Sequence, residues 1–388
     1  MSKPTAAVAG AGIAGLAAAA ALAQRGFAVR IFERTEDPRE FGAGLYLKEN
    51  SLPVLDRLGA GEAIAASGVR IRSVRIADER GRIIVKRSTE DERLIVVKRG
   101  VLHAALRDAA LRAGAELVTG TTVTGARPDG TLLIDGDAPV RADLVIAADG
   151  RGSLIRESLG LTRVNKTLGS GATRLLIPRE ERDLVSTEYW AGSRRVGVVP
   201  CSADETYLFI IGPETDPRAT RVPLDREYWT TALPRLATVF ARIPDDAGVH
   251  HAHAYVNCRS WTAGRVAIIG DAAHAQPPNL GQGAGLAIAL ADQLADLVGA
   301  GGDIPAALKT WEHRVRFKAN MVQRITTAYD LLGNHTPEPL LPLRARTFHG
   351  LSTFKPTANQ WEFYWRGGVN APPASSSASA SASAEAAG

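Results

Sequence analysis

The stretch 5-TAAVAGAGIAG-15 decides how this chain is read. A short apolar run leads into Gly10, Gly12 and Gly15 at G-x-G-x-x-G spacing, and an alanine-rich segment continues to Gln24. The pattern predicts a strand, a tight glycine turn and a helix, because glycine tolerates the turn and lets backbone come close to a ligand. Gly26 stops the helix, and 27-FAVRIFER-34 follows as a second strand with Glu33 near its end. Strand, turn, helix, strand and acid in that order make a βαβ unit with a dinucleotide fingerprint, not an isolated turn. In such a unit Gly12 opens the backbone to a pyrophosphate at the helix N-terminus, Gly15 lets helix and strand approach, and Glu33 accepts ribose hydroxyls.

Composition narrows the class. The chain has 388 residues, 45% hydrophobic and 22% charged, which suits two domains or one large composite. Its longest apolar run, 6–23, is built of alanine and glycine and lacks the bulky residues of a membrane span. No secretory signal is read in MSKPTAAVAG, and two cysteines, Cys201 and Cys258, are too few for a disulfide framework. A cytoplasmic protein with inert packing thiols is therefore expected. The net charge of +5 comes from arginines interleaved with acids, as in 179-REERDL-184, which reads as a solvated face and not as a nucleic-acid stripe. The excess still favours the arrival of an anionic cofactor or substrate.

A simple NAD dehydrogenase would continue at once with further βα units. Here 36–98 bring 41-FGAGLYLKEN-50, a short helical LPVLDRLGA, and the strand-like RIRSVRIAD and GRIIVKRS. A helix is expected over 101–115, strands over 115–126 and 142–150, and a hairpin at TLLIDGD between them. Residues 171–262 alternate in RLLIPR, RRVGVVPC, ETYLFIIG and AHAYVNC, with a helical stretch over 225–243. After 270-GDAAHAQPPNLGQGAG-285 come two long apolar-faced helices. The fold class is α/β: a discontinuous Rossmann-like domain over 1–70, 96–170 and 263–335, with a mostly antiparallel sheet domain from 71–95 and 171–262 inserted. Residues 336–370 form a C-terminal segment, and 371–388 form an Ala/Ser tail that reads as disordered, with nothing bulky to bury.

With GAGIAG and Glu33, LVIAADG, and GDAAHAQPPNLGQGAG in place, the chain resembles the flavoprotein aromatic hydroxylases of the para-hydroxybenzoate hydroxylase type. FGAGLYLKEN, RLLIPR, PCSADETYL and the GQGAG form are most similar to the pyridine-ring oxygenases within that family. The resemblance implies non-covalent FAD, NADH or NADPH as co-substrate, and O2. It sets Gly10, Gly12, Ala14, Gly15, Glu33 and Arg34 on the ADP half, with Val123 among the cofactor contacts. Arg99 would reach the phosphate and ribityl region, Asp149 and Gly150 match the family's DG motif, and Ala148 replaces the glycine common before it. Asp271 would bond the ribityl chain, Pro277 and Pro278 would wall the ring, and Gly281, Gly283, Ala284 and Gly285 would offer helix-start amides to the flavin O2 edge. Gly285 stands where many members have Asn, and Ala289 and Leu290 where an acid is common, which marks a subfamily. No second G-x-G-x-x-G follows a later strand, so no separate NAD(P)H domain is expected.

The implied activity is reduction of FAD by NAD(P)H, oxygen activation at flavin C4a, and transfer of one oxygen atom to an electron-rich ring carbon. Arg174, Arg195 and Tyr207 match substrate-pocket positions, and an arginine offers a planar pair of donors to a carboxylate. His253 falls where the pyridine-ring oxygenases carry a pocket tyrosine, as hydrogen-bond donor or base, and Pro278 belongs to the same wall. The alternatives are a solvent-facing Arg195 beside Arg194 and a core Tyr207. His250, His251 and His253 have no carboxylate or cysteine at ligand spacing, so no metal is expected, and His274 reads as structural. The partner is a small aromatic or pyridine carboxylate, a hydroxypyridine carboxylate first and a salicylate- or hydroxybenzoate-like acid second. Neither nucleic acid nor membrane is expected as a partner. Hydroxylation with or without ring opening, a non-oxygenating reductase or dehydrogenase on the same scaffold, an idle flavin binder, and the oligomeric state all stay open.

Overall fold

The computed structural model describes residues 3–38, 44–180 and 182–353. Phe41 to Ala43, the last part of the expected C-terminal segment and the tail 371–388 lie outside the described residues.

Strand Thr5–Ala9 lies inside a six-stranded sheet, paired in parallel with Ala28–Phe32 on one side and Leu144–Ala147 on the other. Glu116–Val118 extends one edge, and Val266–Ile268 with Thr262–Ala263 the other. The chain order therefore reverses at the first strand, and a crevice opens at its carboxyl end, where doubly wound sheets bind nucleotides. Val8, Ala9, Ile146 and Ala147 are fully buried, which is why these strands read as unbroken apolar runs. Helix Ile13–Gln24 is equally enclosed, with Ala17 to Ala21 inaccessible. Its small side chains admit helices Arg99–Arg112 and Gly283–Gly299 against it.

A seven-stranded sheet runs in the order Val249–Cys258, Thr162–Pro178, Glu205–Pro213, Arg194–Pro200, Val185–Ala191, Ser73–Asp78, Ile83–Ser88. All neighbours are antiparallel except Val185–Ala191 with Ser73–Asp78. One face carries Leu175, Leu208, Ile210 and Val196, which pack on Trp229, Leu233 and Phe240. The register puts Arg174, Leu176, Tyr207, Phe209, Val199 and Arg195 on the other face, across which helix Ile304–Asn334 packs. The functional side chains thus share the face turned toward the C-terminal helices.

Two local expectations are corrected. The helical stretch 225–243 is broken into Arg226–Ala232, a 3-10 turn Pro234–Leu236 and Ala237–Ala241, because Pro234 cannot continue an α-helix. Strand Val185–Ala191 went unread, since charge and aromatic residues blur its alternation.

Candidate active site

Gly10 ends the first strand with φ +100°, donating its N–H to Phe32 O at 2.8 Å. A Cβ at Gly15 would stand 2.0 Å from Gly10 O, so both glycines are required by backbone crossing backbone. At Gly12, Gly150 and Gly152 an added Cβ would meet nothing within 4 Å. The open backbone faces a cleft of about 420 Å³ lined by Gly10, Gly12, Glu33, Arg34, Val123, Asp149 and Gly150. Seven sequence-derived candidates are thereby brought to one place, from the loops after strands Thr5–Ala9, Ala28–Phe32 and Leu144–Ala147 and from the start of a fourth strand, Val123–Arg127. Glu33 accepts from Ala11 N at 2.8 Å and Thr35 N at 3.0 Å, which pins the glycine loop to the second strand. Asp149 Oδ2 accepts from Ile155 N at 3.2 Å, while its buried Oδ1 has no protein partner. An uncompensated carboxylate oxygen and glycines open to a crevice at a strand switch fit the dinucleotide implied by the sequence. Ala14 and Gly15 lie behind this cleft, on the first turns of helix Ile13–Gln24.

A second group assembles on the seven-stranded sheet. Arg174 and Tyr207 lie on the same face of neighbouring strands; burial pushes the Tyr207 phenol above its usual range, and the positive charges of Arg174 and Arg99 pull it back. Arg99, at the start of helix Arg99–Arg112, also acts with Arg174 to hold His251 below its ordinary pKa, after the larger effect of burial. Tyr46 closes the group from strand Gly44–Leu47, with its hydroxyl 2.7 Å from Ser186 Oγ. Phe209, Leu176 and Val199 supply apolar walls near Tyr207.

Arg195 and His253 sit elsewhere on that face, in a buried polar network. Arg195 has no exposed surface: Nε donates to Asn334 Oδ1 at 2.8 Å, Nη1 to Glu188 Oε1 at 2.9 Å, and Nη2 to Asn279 Oδ1 at 2.6 Å and Asp330 Oδ1 at 3.4 Å. A solvent-facing Arg195 is therefore ruled out, and its donors are engaged by protein acceptors. His253 Nδ1 lies 2.9 Å from Asp330 Oδ1, and its buried Nε2 has no protein partner. Burial holds this imidazole below its ordinary pKa, against the pull of Asp330. Asp330 itself is held well below the carboxylate range by His253, Arg195 and Ser170, which outweigh burial.

The segment 270–285 links these groups. Gly270 (φ +60°) turns the chain into helix Asp271–His274, with Asp271 exposed at its start. Pro277 O accepts from Thr326 Oγ1 at 3.0 Å, Pro278 is exposed, and Leu280 O accepts from Lys48 Nζ at 2.7 Å. Gly281 (φ +58°) lies so close to Tyr46 that a Cβ would stand 2.9 Å from its ring. Gly283, Ala284 and Gly285 form the first turn of helix Gly283–Gly299; Gly283 is open, whereas a Cβ on Gly285 would press on Asn50 and Ser51. Gly281 N–H is spent on Pro278 O at 2.8 Å, so within this stretch it is the first turn, Gly283 to Gly285, whose amides suit an anionic or hydrogen-bond-accepting group.

Sequence reading missed His103, whose Nε2 lies 2.8 Å from Ala11 O, and Thr121 and Thr122, all lining the cleft. It also missed Asn279, Asp330, Lys48 and Tyr46. A signal for Asp330 existed: Gln323, Thr326, Asp330 and Asn334 put polar groups on the buried stripe of an amphipathic helix. His250 is engaged by Glu214 at 2.9 Å and Thr173 at 3.0 Å, and both cysteines are buried free thiols, pushed up by burial to about 12 for Cys201 and about 11 for Cys258. Among the described residues no helix is long and apolar enough to cross a membrane.

A family model described as an FAD binding domain matches residues 3–323. The chain is 37% identical over 327 residues to a putative 2-heptyl-3-hydroxy-4(1H)-quinolone synthase of Rhodococcus erythropolis, covering 82% of this chain and 84% of the relative. It is 35% identical over 350 residues to a 2-heptyl-3-hydroxy-4(1H)-quinolone synthase of Mycobacteroides abscessus, covering 88% and 93%. The solved tetrameric form of 2-methyl-3-hydroxypyridine-5-carboxylic acid oxygenase superposes with a TM-score of 0.81 at 31% identity, covering 89% of this chain and 97% of that one. With the cleft, the glycine loop and these likenesses together, the chain belongs to the FAD-dependent aromatic hydroxylases, monooxygenases that use FAD with NAD(P)H and O2.

Proposed function

We propose that this monooxygenase hydroxylates an oxygen-bearing N-heteroaromatic ring, with an alkyl-4-quinolone as the favoured substrate class and ring hydroxylation without ring opening as the outcome. The observation that carries this reading is the sheet cluster: one half-buried arginine, Arg174, on the same sheet face as Tyr207, among Tyr46, Phe209, Leu176 and Val199. Arg195, the second arginine expected to read a carboxylate, spends its donors on Glu188, Asn279, Asn334 and Asp330. The walls suit a flat neutral ring with an apolar substituent better than a small acid. The sequence relatives named for a 3-hydroxy-4-quinolone product support the same class.

Bound FAD supplies two-electron redox chemistry and oxygen activation. The chain's own residues hold the reacting ring. The Arg174–Tyr207 pair offers hydrogen-bond donors to the ring oxygen, which keeps the ring in one orientation and draws charge toward that oxygen. Tyr46 and Phe209 exclude water from the face of the ring. A hydroxypyridine carboxylate is the second reading, favoured by Arg174, whose guanidinium matches a carboxylate.

Turnover with ¹⁸O₂ and a panel of 4-quinolones, hydroxypyridine carboxylates and hydroxybenzoates tests this. The favoured reading expects one labelled oxygen in an intact quinolone and substrate-stimulated NAD(P)H oxidation. Arg174→Met separates the two readings: the KM of a carboxylate substrate rises about 10- to 100-fold with loss of a charge-assisted pair, while a neutral quinolone, which loses one hydrogen bond to an uncharged oxygen, shows a rise below about 10-fold. Labelled product from acids alone overturns the quinolone assignment.

A further inference from the structure

Asp330 lies on the buried stripe of helix Ile304–Asn334, and its side chain has no exposed surface. Its carboxylate gathers groups from separate parts of the chain. Oδ1 lies 2.9 Å from His253 Nδ1, 3.0 Å from Asn279 Nδ2, 2.8 Å from Asn334 Nδ2 and 3.4 Å from Arg195 Nη2, and Oδ2 accepts from Ser170 Oγ. An ionised carboxylate only accepts, so the imidazole presents its Nδ1 proton here.

Asn279 is the member of this network that belongs to the segment 277–280, directly before Gly281 and helix Gly283–Gly299. Its amide is held at both ends: Oδ1 by Arg195 Nη2 at 2.6 Å, and Nδ2 by Asp330 and by Thr326 O at 3.2 Å. The segment is thus tied to the C-terminal helix and, through Arg195, to strand Arg194–Pro200. Through His253 and Ser170 the same carboxylate reaches strands Val249–Cys258 and Thr162–Pro178. One anchor serves both the loop that the family resemblance sets beside the flavin and the sheet that carries Arg174 and Tyr207.

We propose that Asp330 is a positioning residue for the oxygenation reaction: acting through Asn279, its carboxylate fixes the spacing between the flavin-side loop and the substrate-side sheet. Coupled turnover consumes NAD(P)H, a proton, O2 and the ring C–H, and yields NAD(P)+, water and the ring C–OH. With no oxygen transfer, the same two electrons and two protons leave on O2 as hydrogen peroxide. Transfer depends on reacting atoms held within about 3–3.5 Å, and a misplacement of about 1 Å costs on the order of 100-fold. Loosening the anchor therefore diverts electrons to peroxide. The inference rests on the family chemistry and not on which ring is oxidised.

Asn279→Ala and Asp330→Asn in the FAD-loaded enzyme test it. Two quantities independent of the amount of folded protein are read: the share of NAD(P)H electrons recovered as hydrogen peroxide with a hydroxylated substrate, and the constant for iodide quenching of bound flavin fluorescence. Asn279→Ala keeps one FAD per chain, raises the peroxide share at least fivefold and raises the quenching constant at least threefold; Asp330→Asn exceeds it in both. Where no ring in the panel is turned over, the quenching constant decides, so a wrong ring does not count against the anchor. Where Asp330→Asn fails to fold, Asn279→Ala decides. A purely structural role lowers the melting temperature but leaves both quantities within twofold of wild type, and that result overturns the proposal.

Discussion

Gly10 combines a left-handed φ of +100° with a backbone neighbour that would stand 2.5 Å from any Cβ, the carbonyl oxygen of Ala148. Gly10→Ala is therefore expected to cost about 1–3 kcal/mol from backbone strain alone, with the clash added, and to lower FAD content. Urea unfolding and the flavin-to-protein absorbance ratio check both. Arg195 poses a different case. Its guanidinium and the Asp330 carboxylate are both wholly buried, with Glu188 nearly so. Arg195→Met leaves two carboxylates without their cation, so we expect a loss of about 3–5 kcal/mol in stability. A substrate-reading arginine would instead raise KM and spare the unfolding midpoint, so measuring both separates the roles.

At the level of elements, the segment 277–282 is gripped from two sides, by helix Ile304–Asn334 and by Lys48 at the end of strand Gly44–Leu47. Burial, with Arg87 adding to it and Glu92 opposing it, brings the Lys48 ammonium from its ordinary 10.5 down to about 7. Between those two values the unfolded chain binds the proton and the folded chain does not, so stability rises as pH climbs from about 7 toward 10.5. In Lys48→Met this slope is flattened. Melting temperatures of both proteins at pH 7, 8.5 and 10 should show wild type gaining on the variant with rising pH; parallel curves would remove Lys48 as the titrating group. His253 acts on the acid side. Its folded pKa lies below the ordinary 6.5, so the unfolded chain gains protons first and stability falls as pH drops below about 6.5. His253→Gln should lose that part of the acid sensitivity in the same melts.

At the scale of the whole molecule, the cleft at the end of strand Thr5–Ala9 gathers residues from positions 9 to 154, so no single segment forms it. Ligand binding therefore reports on the assembled fold. FAD at about 100 times its dissociation constant is expected to stabilise the apoprotein by about 2.7 kcal/mol, seen as a rise in melting temperature with FAD concentration. Glu33→Ala frees the amides of Ala11 and Thr35 and should shrink that rise at fixed FAD. An unchanged shift would take Glu33 out of the cofactor site.

The sequence by itself determined the nucleotide half of this protein. Gly10, Gly12, Gly15, Glu33 and the DG pair at 149–150 carry their meaning in local spacing, because a tight turn and a close backbone approach depend on neighbours a few residues away. The alternating strands other than Val185–Ala191, and the apolar face of helix Ile304–Asn334, were legible for the same reason. Only the tertiary structure decided the fate of the substrate-side residues. Arg174 and Arg195 look alike in sequence, yet one faces Tyr207 and the other is enclosed by acceptors from 188, 279, 330 and 334. What a buried charge does is set by partners brought from as far as 139 residues away, and such long-range pairing leaves no local pattern to read.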